Sequence, residues 1–135
     1  VADQFALALS QFAAKAGDRA DQVVRQVTLE VASRIIVRSP VDTGRFRGNW
    51  RLGVGGPVSG TTSLTDKDGS TATANVAGML PKKAAGTVLY LTNNLPYAWA
   101  LEHGHSKVHA PNGMVGLTVL EFAAIVDQAA GGLAP

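Results

Sequence analysis

Thr87-Val88-Leu89-Tyr90-Leu91-Thr92 follows Gly86 and is cut off by Asn93-Asn94. Its β-branched and aromatic side chains suit a pleated, half-buried surface, so it reads as the best strand of the chain. Arg51–Val54 reads as a second, shorter strand. Upstream, residues 2–38 read as helix, in one piece or two. Phe5, Leu9 and Phe12 step by four and three. After Gly17-Asp18, where Asp18 offers a cap, Ala20, Val23, Val24, Val27, Val31 and Ile35 form a second stripe. Ser39-Pro40 ends it, because the residue before a proline is pushed out of the helical region. Downstream, Pro96 opens a short helix through Glu102, closed by Gly104, and residues 105–113 form a polar loop. Met114–Ala130 reads as a final helix, stopped by Gly131-Gly132. Helices at both ends with strands between them predict an α+β fold. Long N-terminal helices and the C-terminal helix would pack on a small, mostly antiparallel sheet, since a doubly wound sheet needs strand–helix alternation.

The remaining segments are shorter. Residues 41–50 read as a turn feeding one helical turn, with Asp42 or Thr43 as its cap. Residues 71–83 read as a short helix. Between them, Gly55–Ser70 is Gly-, Ser- and Thr-rich with only Val58 and Leu64 as sizeable apolar side chains. So long a loop predicts a flexible arm that is ordered by a partner, because it has little apolar surface of its own to bury. Residues 1–135 are expected to form a single domain with no repeats.

Composition removes several function classes. Hydrophobic residues make up 46% and charged residues only 16%, and there is no cysteine. A chain of this length can bury a core without a metal or disulfide. The missing thiols exclude a disulfide scaffold, a thiolate zinc site, an iron–sulfur cluster and a cysteine nucleophile. A formal charge of +2 is too small to mark a general nucleic-acid binder. Phe5–Ala14 is apolar, but Asp3 stands where a signal peptide needs a basic region, and no apolar run reaches the ~20 residues of a membrane span. The expectation is a soluble chain made inside the cell, without a membrane partner. Its lean charge hints at a surface that meets other protein.

Two clusters could carry chemistry. All three histidines, His103, His105 and His109, fall within seven residues and follow Glu102. Imidazoles beside a carboxylate suit a divalent ion, yet Gly104 interrupts the helix and the spacing matches no helical metal pair. The plainer reading is a polar loop bonded to backbone. The second cluster is basic: Arg34, Arg38, Arg45, Arg47 and Arg51, with Asp42 the only acid in that span. Guanidinium groups there suit phosphates or carboxylates, or they close a helix C-terminus. With only Phe46 and Trp50 interleaved, a base-stacking platform is disfavoured. No nucleophile elbow, phosphate loop or His-Glu-x-x-His helix is present, and Asp66-x-Asp68-Gly69 lacks the closing acid of a calcium loop. By elimination the chain reads as non-enzymatic, with no cofactor.

Ser39-Pro40-Val41-Asp42-Thr43-Gly44-Arg45-Phe46-Arg47-Gly48-Asn49-Trp50 resembles the S-P-V-D-T-G-x-h-R-x-x-W segment, h being hydrophobic, of a tailed-bacteriophage protein family. A second match starts at Leu91-Thr92-Asn93-Asn94-Leu95-Pro96-Tyr97-Ala98 and continues through Leu101-Glu102-His103-Gly104-His105-Ser106. It ends at Ala110-Pro111-Asn112-Gly113-Met114-Val115. This resembles the family's T-N-N-x-P-Y-A, L-E-x-G-x-S and A-P-x-G-M-V core in order and spacing. The chain departs from the pattern at Val108-His109, where Gln commonly precedes Ala-Pro, and at Gly116, where a basic residue often stands.

The family comprises neck and tail-completion proteins, also called minor tail or head–tail joining proteins. The resemblance implies a structural virion protein, assembled in the host cytoplasm, forming a ring of six or twelve copies that joins head to tail around the DNA channel. Its implied partners are its own copies, a head–tail connector or portal-side protein, and a tail terminator or tail tube protein, with DNA only passing through. The competing readings are a tail-terminator ring, a divalent-metal hydrolase using Glu102, His103, His105 and His109, and a DNA-binding module using the arginines. Asp42, Thr43, Gly44, Asn93, Asn94, Pro96, Tyr97, Glu102, Pro111 and Gly113 read as structural motif residues fixing a loop–helix corner. Asn93 and Asn94 suit left-handed turn conformations with their amides bonding local backbone, and Glu102 sits where an arginine of the Asp42–Trp50 segment, or of a neighbouring chain, would pair with it. The candidate subunit interface comprises Arg45, Arg47 and the stripe Val115, Val119, Phe122 and Val126, with Leu117, Leu120 and Ala124 as a second stripe. Acids of a neighbouring subunit, Glu121 or Asp127, are expected to meet the arginines.

Overall fold

A computed structural model describes residues 19–103 and 113–132. Among them the chain runs α1 (Ala20–Arg38), α2 (Arg45–Gly48), β1 (Arg51–Val54), α3 (Ser70–Met79), β2 (Leu89–Thr92), α4 (Ala98–Glu102), α5 (Val115–Leu120) and α6 (Phe122–Gly132). The fold is α+β, as expected: helices packed on a small two-stranded antiparallel sheet. The first apolar stripe (Phe5, Leu9, Phe12) and the expected cap Asp18 lie outside the described residues.

The strands pair with Leu52 opposite Leu91 and Val54 opposite Leu89. Side chains directly opposite share a face, so Leu52, Leu89 and Leu91 line one side and are buried. The other side carries Arg51, Thr92, Gly53 and Tyr90. Gly53 is required there, because a Cβ on it would lie 2.1 Å from the Gly56 carbonyl oxygen of the chain folding back over that face.

Helix α1 supplies the long wall of the core, burying Val23, Val24, Val27, Val31, Ile35 and Ile36. Helix α3 packs on both β1 and α1, and α1 carries α5 and α6. Helix α3 starts one residue earlier and ends four earlier than the sequence suggested. Leu80 precedes Pro81 and is extended (φ −64°, ψ 123°), so the helix stops at Met79. Its start is fixed by acids: Asp66 Oδ2 accepts the Ala72 N–H at 2.7 Å, and Asp68 Oδ1 accepts the Ser70 N–H at 2.9 Å. The Ser70 N–H and hydroxyl bonds hold the Asp68 carboxyl below its ordinary range.

The expected final helix is two helices. Glu121 joins them with φ −91° and ψ −1°, its N–H bonding the Thr118 carbonyl and its own carbonyl accepting from Ile125. Neither expected stripe is the buried face. Met114, Thr118, Ile125 and Ala129 are, lying between the two stripes at spacings of four, seven and four. Among the described residues no helix is long and apolar enough to cross a membrane.

Candidate functional site at the meeting of two motifs

The two recognisable segments meet. Ser39 is buried at the end of α1, where its hydroxyl donates to the Ile35 carbonyl and accepts the Trp50 indole N–H, both at 2.8 Å. Arg47 closes the same helix end, donating to the carbonyls of Val37 (2.7 Å), Ser39 (3.0 Å) and, across the turn, Lys67 (2.6 Å). The Val37 and Ser39 carbonyls lie at the helix end with no partner within it, so a cation there satisfies both their lone pairs and the helix dipole.

The Asp42-Thr43-Gly44 turn differs from expectation in its cap. Gly44 occupies the N-cap of α2 with φ 91°, and Asp42 is exposed. Thr43 contributes one bond, its hydroxyl accepting the Arg45 N–H at 3.2 Å. A Cβ on Gly44 would stand 2.6 Å from the Asp66 nitrogen, and the Gly44 carbonyl accepts the Asp66 N–H at 2.9 Å. Glycine is therefore needed twice, for the positive φ and for the close approach.

Asn93 ties the second segment to the first. Its amide donates to the Phe46 carbonyl at 2.9 Å and accepts the Leu95 N–H at 3.3 Å. Asn94 donates to the carbonyls of Val58 and Gly60 at 2.7 and 2.9 Å. Neither is left-handed, since no described non-glycine residue has positive φ. Their role is carried by the side-chain amides. Pro96 precedes Tyr97, the N-cap of α4, and the Tyr97 ring lies 5.8 Å from Phe46, which in turn meets Trp50 edge-on at 5.8 Å. Pro40, Val41, Phe46, Tyr97 and Leu101 line a cleft of about 600 Å³ here, together with Asp42, Thr43, Gly44 and Arg45.

Glu102 meets no described arginine of its own chain, so the expected pairing with the Asp42–Trp50 segment is not formed. Its carboxylate accepts three backbone N–H groups at the start of α5: Met114 (2.9 Å), Val115 (2.8 Å) and Gly116 (2.8 Å). A charged acceptor at a helix N-terminus satisfies donors that have no partner within the helix. Gly113 (φ 80°) allows it, since a Cβ there would lie 2.3 Å from the Glu102 carbonyl oxygen. His103 stacks on Trp99 with centroids 3.9 Å apart, and its Nδ1 donates to the Trp99 carbonyl at 2.7 Å. His105, His109 and Pro111 lie outside the described residues, and the described ones hold no cluster of three or more potential metal ligands.

The basic cluster is divided. Arg34 bonds Glu30 at 2.8 Å and Glu121 at 3.0 Å, while Arg38 bonds Glu121 at 2.8 Å and the Thr118 hydroxyl at 2.9 Å. Glu121, expected to meet a neighbour's arginine, is engaged within its own chain; Asp127 is exposed. Hydrogen bonds from Arg38 and then Arg34 hold the Glu121 carboxyl down to about 2, while bonds to Glu30 and then Glu121 raise Arg34. Arg45 and Arg51 donate to loop carbonyls, Arg45 to Thr62 at 3.2 Å and Arg51 to Ser59 and Gly60.

Of the candidate interface stripe, Val115, Phe122 and Val126 pack partly buried against the core, and Val119 is 44% exposed. In the second stripe Leu120 is 83% exposed and Ala124 is exposed, with Leu117 between. The residue that sequence reasoning missed is Asn49, which is fully buried. It donates to the carbonyls of Arg45 (2.8 Å) and Thr62 (3.0 Å) and accepts the Thr62 N–H at 2.9 Å. The Gly55–Ser70 loop thus finds bonding partners in Asn49, Arg45, Arg51 and Asn94 of its own chain. Comparison with protein-family models, curated proteins and solved structures finds no match to this chain.

Proposed function

We propose that this chain is a non-catalytic structural protein of a tailed-phage virion, forming a ring in the neck that joins the head connector to the tail around the DNA channel. The observation that carries this reading is the corner itself. The segments that resemble the neck and tail-completion family sit 47 residues apart at Phe46 and Asn93, yet bond directly and share the Phe46–Tyr97 ring contact. Two segments joined by a side-chain-to-backbone bond and a ring contact fix a corner of the fold, which suits a scaffold. Its carboxylate, Glu102, spends its oxygens on backbone N–H groups rather than on a reacting centre. Arg34 and Arg38 serve an internal ion pair, which leaves them poorly placed for a DNA contact.

Quantitative mass spectrometry of purified particles from the phage whose genome encodes the chain tests this. The expected result is a fixed copy number, matching the order of a ring, and unjoined heads and tails when the gene is interrupted. Absence from particles, or normally joined particles without it, overturns the reading.

A further inference from the structure

The formal charge of +2 is not spread evenly over the molecule. At the start of α1, Asp21 Oδ1 accepts the Ala85 N–H at 2.9 Å. One turn further along, Arg25 donates to the carbonyls of Leu80 and Pro81 at 3.2 and 2.8 Å. The segment between these anchors therefore runs beside the first turns of α1, with Ala84 fully buried beneath it. Lys82 and Lys83 stand exposed there, and Arg19, also exposed, immediately precedes the helix.

Four cations thus share this corner with one described acid, Asp21, and none of them is ion-paired to a described residue. Lys15 and Asp18, just upstream in the sequence, cancel. The corner carries a formal +3, so the rest of the chain is slightly negative. Elsewhere the arginines are consumed: Arg34 and Arg38 meet Glu121, and Arg47 closes a helix end. Here Arg25 bonds through Nη1 alone, which leaves Nη2 and Nε for a ligand.

We infer that this corner holds the phosphate backbone of a DNA duplex. Half of its cations are lysines, which are depleted at protein–protein interfaces, whereas ammonium groups on flexible stems suit a row of phosphates. Neither segment, 19–25 or 80–86, carries an aromatic side chain. Nothing there stacks on a base, so the contact is to backbone and indifferent to sequence. From Arg19 to Arg25 is ~9 Å along the helix, a length over which one strand of a duplex presents about three phosphates. Three contacts bind weakly, which suits DNA that must pass rather than stay. In a ring the corner repeats once per subunit and the weak contacts add. That extension rests on the neck reading; the binding itself does not.

Fluorescence anisotropy of a labelled duplex of about 20 base pairs, titrated with the isolated chain from about 20 mM salt upward, tests this. The logarithm of the dissociation constant should rise with that of salt with a slope of about 3. Lys82→Gln should lower the slope by about one, and Lys82→Gln with Lys83→Gln by about two. Lys67 is exposed too, but its carbonyl bonds Arg47 at the far end of α1, so Lys67→Gln should leave the slope unchanged. No binding at the lowest salt, or an equal effect of Lys67→Gln and Lys82→Gln, overturns the inference, the second because net charge alone is then at work. Poly-glutamate binding as tightly as the duplex at equal charge also overturns it, assigning the corner to an acidic protein. Each failure leaves the particle test untouched, and absence of the chain from particles leaves the binding standing.

Discussion

Asn49 carries no charge and no ring, and asparagines are usually exposed, so nothing in the sequence distinguishes it from its polar neighbours. Its burial follows from Gly48, where a Cβ would lie 2.5 Å from the Leu64 carbonyl oxygen, so the loop returns close against this turn. The Asn49 amide then pairs with the backbone of Arg45 and Thr62 through three bonds. Asn49→Ala leaves those backbone groups without partners, at a cost of about 1–3 kcal/mol in urea unfolding. Asn49→Asp should cost at least as much, because an oxygen replaces the donor facing two carbonyls. In both variants limited proteolysis between 55 and 70 should accelerate relative to the parent. A parent-like cleavage rate in both would mean that the loop is not held from Asn49.

At the scale of elements, the strands, the first core helix and its Ser39-Pro40 stop were legible. Alternation, β-branching and proline act locally, and the local signal survives packing. The last helix was less so. Its two apolar stripes are real in sequence, but the joint at Glu121 and the Arg34–Arg38 pair decide which face turns inward, and that decision is tertiary. Arg34 and Arg38, four residues apart on α1, meet one carboxylate between α5 and α6. Glu121 is held at about 2, below the ordinary 4.5. A depressed carboxyl contributes its full stability above the ordinary value and loses it as pH falls from there toward about 2. The side chain is 37% exposed, so water screens the pair and the effect is modest. Unfolding midpoints should be flat through neutral pH and decline below about pH 4.5. Glu121→Gln should remove part of that decline, and a variant whose acid branch overlays the parent would deny the clamp any role.

For the whole molecule, the question is what fastens the C-terminal helices to the rest once the sheet ends. The Glu102 carboxylate ties the end of α4 to the start of α5 by holding the N–H groups of Met114, Val115 and Gly116. The motif's spacing was visible in sequence, but its purpose was not, because an acid thirteen residues before a helix has no sequence signature as a cap. Glutamine at this position offers one acceptor oxygen and turns an NH₂ toward N–H donors. Glu102→Gln therefore strands at least one donor and removes the charge that complements the helix dipole, about 1–3 kcal/mol together. The loss is local in origin, since α1, α3 and the sheet keep their own contacts. Amide hydrogen exchange should accordingly speed up across 114–132 while Val24–Ile36 and Leu89–Leu91 keep their protection. Gly113→Ala, which drives a methyl into the same carboxylate, should give the same regional pattern by an independent route. Uniform acceleration over all helices would instead mean that the chain opens as one unit, with Glu102 a contributor to global stability and not the fastener of its C-terminal part.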